Sequence, residues 1–167
     1  GITPEESAEK AASLLAETGI PDGKSRLKNF PHQFSGGQLQ RIGIALALAQ
    51  GCKLLIADEP TTALDVTVQA QITELLLQLN KTRNLSIIFI SHDIGLVSRL
   101  CSRIIVMYGG KIMEEGKTDN IVNNPKNPYT KAYGFLMPVV GVEPTRYCYH
   151  GILSPARLPI PSHRHIN

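Results

Sequence analysis

The chain has 167 residues, 43% apolar and 19% charged, enough to bury a core and ordinary for a water-soluble globular protein. Its net charge of +3 is too small to point to nucleic acid. No apolar run approaches the ~20 residues that a membrane-spanning helix needs. Cys52, Cys101 and Cys148 lie far apart, with no CxxC pair and no zinc spacing. With no secretory leader in view, that pattern sets the expectation of a reducing, cytoplasmic setting. The first residue is Gly rather than Met, which suggests a start other than the gene's own.

In chain order, residues 4–18 read as a helix, with Thr3 as its cap, Pro4 in the first turn and Glu5 and Glu6 near the positive end. Gly19 ends it. Residues 38–50, QLQRIGIALALAQ, form a second helix, apolar on most faces and so expected to be buried. KLLIAD (53–58) suits a central parallel strand. A helix over 66–82 follows, with Val66, Ala70, Ile72, Leu75, Leu76 and Leu79 in a broad stripe. LSIIFIS (85–91) is a second buried strand and 94–101 a short helix. Residues 103–108 and 111–115 read as a hairpin turning at Gly109-Gly110. The alternation of strand and helix predicts an α/β fold with a parallel sheet. After about residue 124 the pattern dissolves into Pro-rich sequence.

In open α/β sheets, ligands sit at the carboxyl ends of the strands. Asp58-Glu59 follows the first strand here and Ser91-His92-Asp93 the second. If these strands are neighbours, the acids and the histidine converge. Asp58 can then hold Mg²⁺ directly or through water, Glu59 can orient an attacking water, and His92 can meet a phosphate oxygen. Taken singly, each is an ordinary polar strand end; their joint occurrence is what carries weight. Ser35, Gly36 and Gly37 precede the 38–50 helix, whose N-terminus offers free N–H groups to a phosphate. Alone, that stretch would be a plain capping loop. Gly37 is expected to admit the ligand, so a bulky residue there should spare the fold.

Together these residues resemble the ATP-binding cassette (ABC) ATPases. FSGGQ (34–38) is similar to that family's LSGGQ signature, with Phe34 in place of Leu. LLIADE (54–59) resembles its Walker B strand, ALD (63–65) its D-loop and SHD (91–93) the segment with its switch histidine. DEPTTALDVTVQAQI (58–72) and NPKNPYTKA (124–132) resemble the oligopeptide, dipeptide and nickel importer ATPases more narrowly.

The resemblance implies a partial P-loop NTPase fold: a parallel sheet with flanking helices plus part of a helical subdomain. Residues 1–37 would end the helical subdomain and carry the signature loop, and 38–124 would form the second half of the RecA-like core. Residues 125–167 would be a Pro-rich, poorly ordered tail. The implied cofactors are ATP and Mg²⁺, with Asp58 holding the metal. Glu59 and His92 would be catalytic, and Ser35, Gly36, Gly37, Gln38, Asp58 and Asp65 would contact nucleotide. The implied partners are a second ABC ATPase subunit, membrane permease subunits and an extracytoplasmic substrate-binding protein, at the cytoplasmic face of the membrane, with no nucleic acid. The other readings are a non-transport ABC ATPase, or a non-catalytic module that lends only its signature surface. The uninterrupted 38–124 argues against the former.

No G-x-x-x-x-G-K-[ST] phosphate loop occurs. GKS (23–25) would need Gly where Thr18 stands, and GKT (116–118) would need Gly where Lys111 stands. In the family that loop lies upstream of the signature, so the chain reads as the carboxyl-terminal part of a cassette. Beyond residue 140 the sequence departs from the peptide-importer pattern, which has clustered cysteines there. His150, His163 and His165 could bind a metal, although an unstructured tail fits that composition better.

Overall fold

The computed structural model describes residues 2–133 and 139–143. Helix α1 spans Pro4–Glu17 and starts in a full capping box. Thr3 N–H donates to Glu6 Oε2 (2.8 Å), and Glu6 N–H donates to Thr3 Oγ1 (3.2 Å). A short helix α2 (Gly23–Arg26) and a 3₁₀ turn (Pro31–Gln33) lead to helix α3, Gly36–Ala49. Then follow strand β1 (Leu54–Asp58), helix α4 (Val66–Arg83), strand β2 (Ser86–Ser91) and helix α5 (Ile94–Leu100). Strands β3 (Arg103–Tyr108) and β4 (Lys111–Lys117) form the expected hairpin. Its turn residues Gly109 (φ 54°) and Gly110 (φ 78°) both take the left-handed conformation that a two-residue turn of this hand requires. Helices α6 (Thr118–Asn123) and α7 (Pro128–Tyr133) and strand β5 (Val139–Glu143) are the last elements among the described residues.

The sheet runs β1-β2-β5-β3-β4. β1 and β2 are parallel, with Ile56 opposite Ile88 and Asp58 opposite Ile90. β5 is antiparallel to both β2 and β3, so β1, β2 and β3 all point the same way, as the alternation of strand and helix predicts. The main core joins Leu14 and Leu15 of α1 and Ile44, Ala45 and Leu48 of α3 to Ile72, Leu75, Leu76 and Leu79 of α4. It continues through Phe89, Val97, Ile104 and Val106. Alternation along the strands sends Ile88 and Ile105 to a smaller cluster with Ile90 and Met107. Arg41 ties the helices together, donating to the Thr18 carbonyl (2.9 Å) and to Gln71 (3.0 Å). No helix among the described residues is long and apolar enough to cross a membrane.

Three expectations need correction. Among the described residues β1 lies at the sheet edge rather than centrally, with Leu54 43% and Ile56 59% exposed, because it pairs there with β2 alone. The stripe on α4 is narrower than predicted: Ile72, Leu75, Leu76 and Leu79 are buried, while Val66 and Ala70 are exposed. On α3, likewise, Leu39 and Leu46 face outward.

The third concerns the tail, which is built structure over its first part, for a reason invisible in local composition. Glu114 of β4 reaches across to accept the backbone N–H of Lys126 (2.7 Å) and of Asn127 (3.1 Å). Asn127 in turn donates to the Met113 carbonyl (2.8 Å), and Tyr129 packs on Tyr108 with ring centroids 4.5 Å apart. Cys148, His150, His163 and His165 lie outside the described residues.

Partial burial disfavours the Glu114 carboxylate, but the backbone donors of Lys126 and Asn127 outweigh it and hold the group below its usual range. A lowered folded-state pKa gives stability that is present above the unfolded value and lost as pH falls through the lowered one. Glu114→Gln is therefore expected to lower the amide-exchange protection factors of residues 125–133 at neutral pH, and the wild type's protection factors, corrected for the intrinsic pH dependence of exchange, should fall toward the variant's on acidification. Unchanged exchange in the variant would remove Glu114 from this role.

Candidate functional site

The parallel β1–β2 pair places the two polar strand ends side by side. Glu59 N–H extends the ladder by donating to the Ile90 carbonyl at 2.9 Å. Glu59 then turns through a left-handed conformation (φ 48°), one that non-glycine residues adopt at a cost. This brings its carboxylate to His92, whose Nδ1 lies 3.0 Å from Oε1 and 3.1 Å from Oε2. An ionised carboxylate only accepts, so Nδ1 carries the proton in this contact and Nε2 is left uncommitted to Glu59.

Thr62, from the same loop, donates its hydroxyl to Glu59 Oε2. Partial burial works against ionisation of Glu59, but the bonds from Thr62 and His92 prevail and hold the carboxyl below its usual range. At neutral pH the site thus contains an ionised, oriented carboxylate, the state a general base needs.

The remaining predicted residues divide. Asp58 ends β1 and is exposed, next to but not part of the Glu59–His92 contact. No cluster of three or more His, Cys, Asp or Glu suited to a metal occurs among the described residues. Asp65 caps α4, accepting the Val68 N–H at 2.9 Å, and Asp93 caps α5, accepting the Leu96 N–H at 3.0 Å.

Ser35 caps α3 in a second capping box. Gln38 N–H donates to Ser35 Oγ at 3.3 Å, and Ser35 N–H donates to Gln38 Oε1 at 3.0 Å. Gly36 is exposed, and a Cβ there would sit 3.3 Å from Leu64, so the start of α3 lies against the loop that also carries Thr62 and Asp65.

Gly37 departs from expectation. It is buried, and a Cβ on it would come within 2.4 Å of Val68 Cγ1 on α4. Its smallness lets α3 and α4 pack closely, so the expectation that a bulky residue there would spare the fold does not hold. Thr62 was absent from the sequence reading; a hydroxyl three residues after a strand-end acid was its only signal.

The model of the ABC transporter family matches residues 3–62, which include Ser35, Gly36, Gly37, Asp58 and Glu59. A dipeptide transport ATP-binding protein, DppD of Haemophilus influenzae, is 54% identical over 79% of this chain and 40% of its own length. The chain thus resembles the ABC transporter ATPases. An oligopeptide transport ATP-binding protein, OppD of Bacillus subtilis, is 51% identical over 83% of this chain and 39% of its own.

Solved ABC structures share the fold. cbiO1 from Clostridium perfringens, part of the cbiONQ ABC transporter complex, gives a TM-score of 0.64 at 32% identity, over 74% of this chain and 48% of its own. A dimeric bacterial ABC transporter cassette, MJ0796, gives 0.60 at 34% identity, over 71% of this chain and 50% of its own. The chain spans about 40% of the length of the curated relatives it matches.

Proposed function

We propose that the chain is part of the ATP-binding and ATP-hydrolysing subunit of an ABC importer for peptides, coupling ATP hydrolysis to transport. The observation that carries this reading is the Glu59–His92 contact at the ends of two adjacent parallel strands. A base held there accepts a proton from water as that water attacks the terminal phosphate of ATP in line, and the bond to the ADP oxygen breaks. Asp58 would hold Mg²⁺, which would supply positive charge to offset that of the phosphates. Ser35, Gly36, Gln38 and Asp65, with the backbone amide of Gly37, would serve the nucleotide of a second ATPase subunit.

In this reading residues 1–37 close a helical subdomain and 38–124 form the second half of the ATPase core. Membrane permease subunits and an extracytoplasmic substrate-binding protein complete the importer, with the ATPase at the cytoplasmic face. The peptide assignment rests on relatives named for dipeptide and oligopeptide transport. Its test is uptake of labelled di- and oligopeptides by cells deleted for their own importer ATPase and supplied with the complete protein. Restored ATP turnover without uptake would retain the ATPase and discard the peptide cargo.

A second expected result concerns the 167-residue chain by itself, whose sequence holds no phosphate loop. Without the lysine and amides of that loop, little is left to neutralise a triphosphate. Calorimetry should show negligible ATP binding; a micromolar dissociation constant would overturn this account of the site.

A further inference from the structure

We propose that Thr62 is a positioning residue for the Glu59 carboxylate, its hydroxyl engaging Oε2 so that Oε1 is the oxygen that accepts the proton of the attacking water. This rests on the reading of Glu59 as the base for ATP hydrolysis.

His92 Nδ1 lies almost equidistant from the two oxygens, at 3.0 and 3.1 Å, so it fixes where the carboxylate group sits without choosing between its oxygens. Thr62 breaks that symmetry by donating to Oε2 alone. It can do so because the loop is locked: Pro60 and Thr61 are buried, and Thr62 N–H donates to the Glu59 carbonyl at 3.1 Å. Thr62 itself is exposed, so its hydroxyl fills no packing role. A carboxylate held on two sides from two elements cannot swing about its last torsion. Holding the accepting oxygen in register with the water is the kind of positioning on which in-line attack depends.

The test uses the complete ATPase with Thr62→Val and Thr62→Ser. Valine keeps the branched shape and the backbone bond to Glu59 but removes the donor; serine keeps the donor. Thr62→Val should lower kcat for ATP about tenfold with KM within about twofold, and Thr62→Ser should stay within about twofold of wild type in both. Thermal melts of the two variants should coincide with wild type. A Thr62→Val enzyme with normal kcat, or equal losses in both variants, would refute the proposal. The underlying reading fails separately: if Glu59→Gln leaves turnover intact while Thr62→Val lowers it, Glu59 is not the base. In that case Thr62 does not act through it, and the inference falls as well.

Discussion

Replacing Glu59 by Gln in the complete ATPase is expected to lower ATP turnover by about 10²–10⁴-fold while ATP binding persists. The amide preserves the shape of the side chain and one oxygen for the Thr62 hydroxyl, but it cannot take a proton from water. His92 Nδ1 would face a neutral group in place of a carboxylate, so the ring would lose a charge-assisted bond while staying near its present position. Binding should survive because the side chain belongs to the proton-transfer step and not to the contacts that neutralise the triphosphate. Equilibrium binding of a fluorescent ATP analogue alongside steady-state turnover separates the two. Near-normal turnover would move the proton acceptor elsewhere, with His92 the first candidate.

The second large effect is structural. Gly37→Leu is expected to destabilise the chain by about 3 kcal/mol, the upper end of the range for overpacking a tight contact. The obstacle is Val68 Cγ1 at 2.4 Å from the first added carbon, on a β-branched side chain that has one strongly preferred rotamer in a helix. The smaller change Gly37→Ala should also cost stability despite alanine's better helix propensity. Adding Val68→Ala should recover most of that loss, because it removes the atom in the way. Urea denaturation of the four chains in that cycle measures the coupling. If Gly37→Leu unfolds at the wild-type midpoint and only ATP turnover fails in the complete enzyme, the glycine answers to a ligand and not to α4.

The meeting of the two strand ends was legible because its parts are short and contiguous. Asp58-Glu59 and Ser91-His92-Asp93 each end an apolar strand, and their meeting needed only that consecutive strands pair in parallel, which is the commonest outcome for a strand–helix–strand unit. What stayed hidden depends on contacts that sequence spacing does not encode. A glycine in FSGGQ looks the same whether it makes room for a phosphate or for Val68. LLIAD is apolar at four successive positions, which reads as a strand buried on both faces, yet in the described residues β1 has a neighbour on one side only. The helix at Pro128–Tyr133 is fastened by Glu114 on a distant strand, and its own Pro-rich sequence gives no hint of that anchor. VVGVE (139–143) is a fair strand sequence, but it sits in a stretch whose composition suggested no ordered structure.

The antiparallel β5 has a consequence for how the chain acquires its shape. β2 and β3 pair with it and not with each other, so it is the keystone between a β1–β2 ribbon and a β3–β4 ribbon. Among the described residues it also follows every other strand. During synthesis, each ribbon therefore waits with an open inner edge until residues 139–143 leave the ribosome and slot between them. In that interval the described strands expose four edges in place of two. Apolar strands with free edges pair readily with other chains, and closing them by a contact so distant in sequence is slow. The window for misassembly is thus written into the order of the strands: the chain is most vulnerable just before its sheet is sealed.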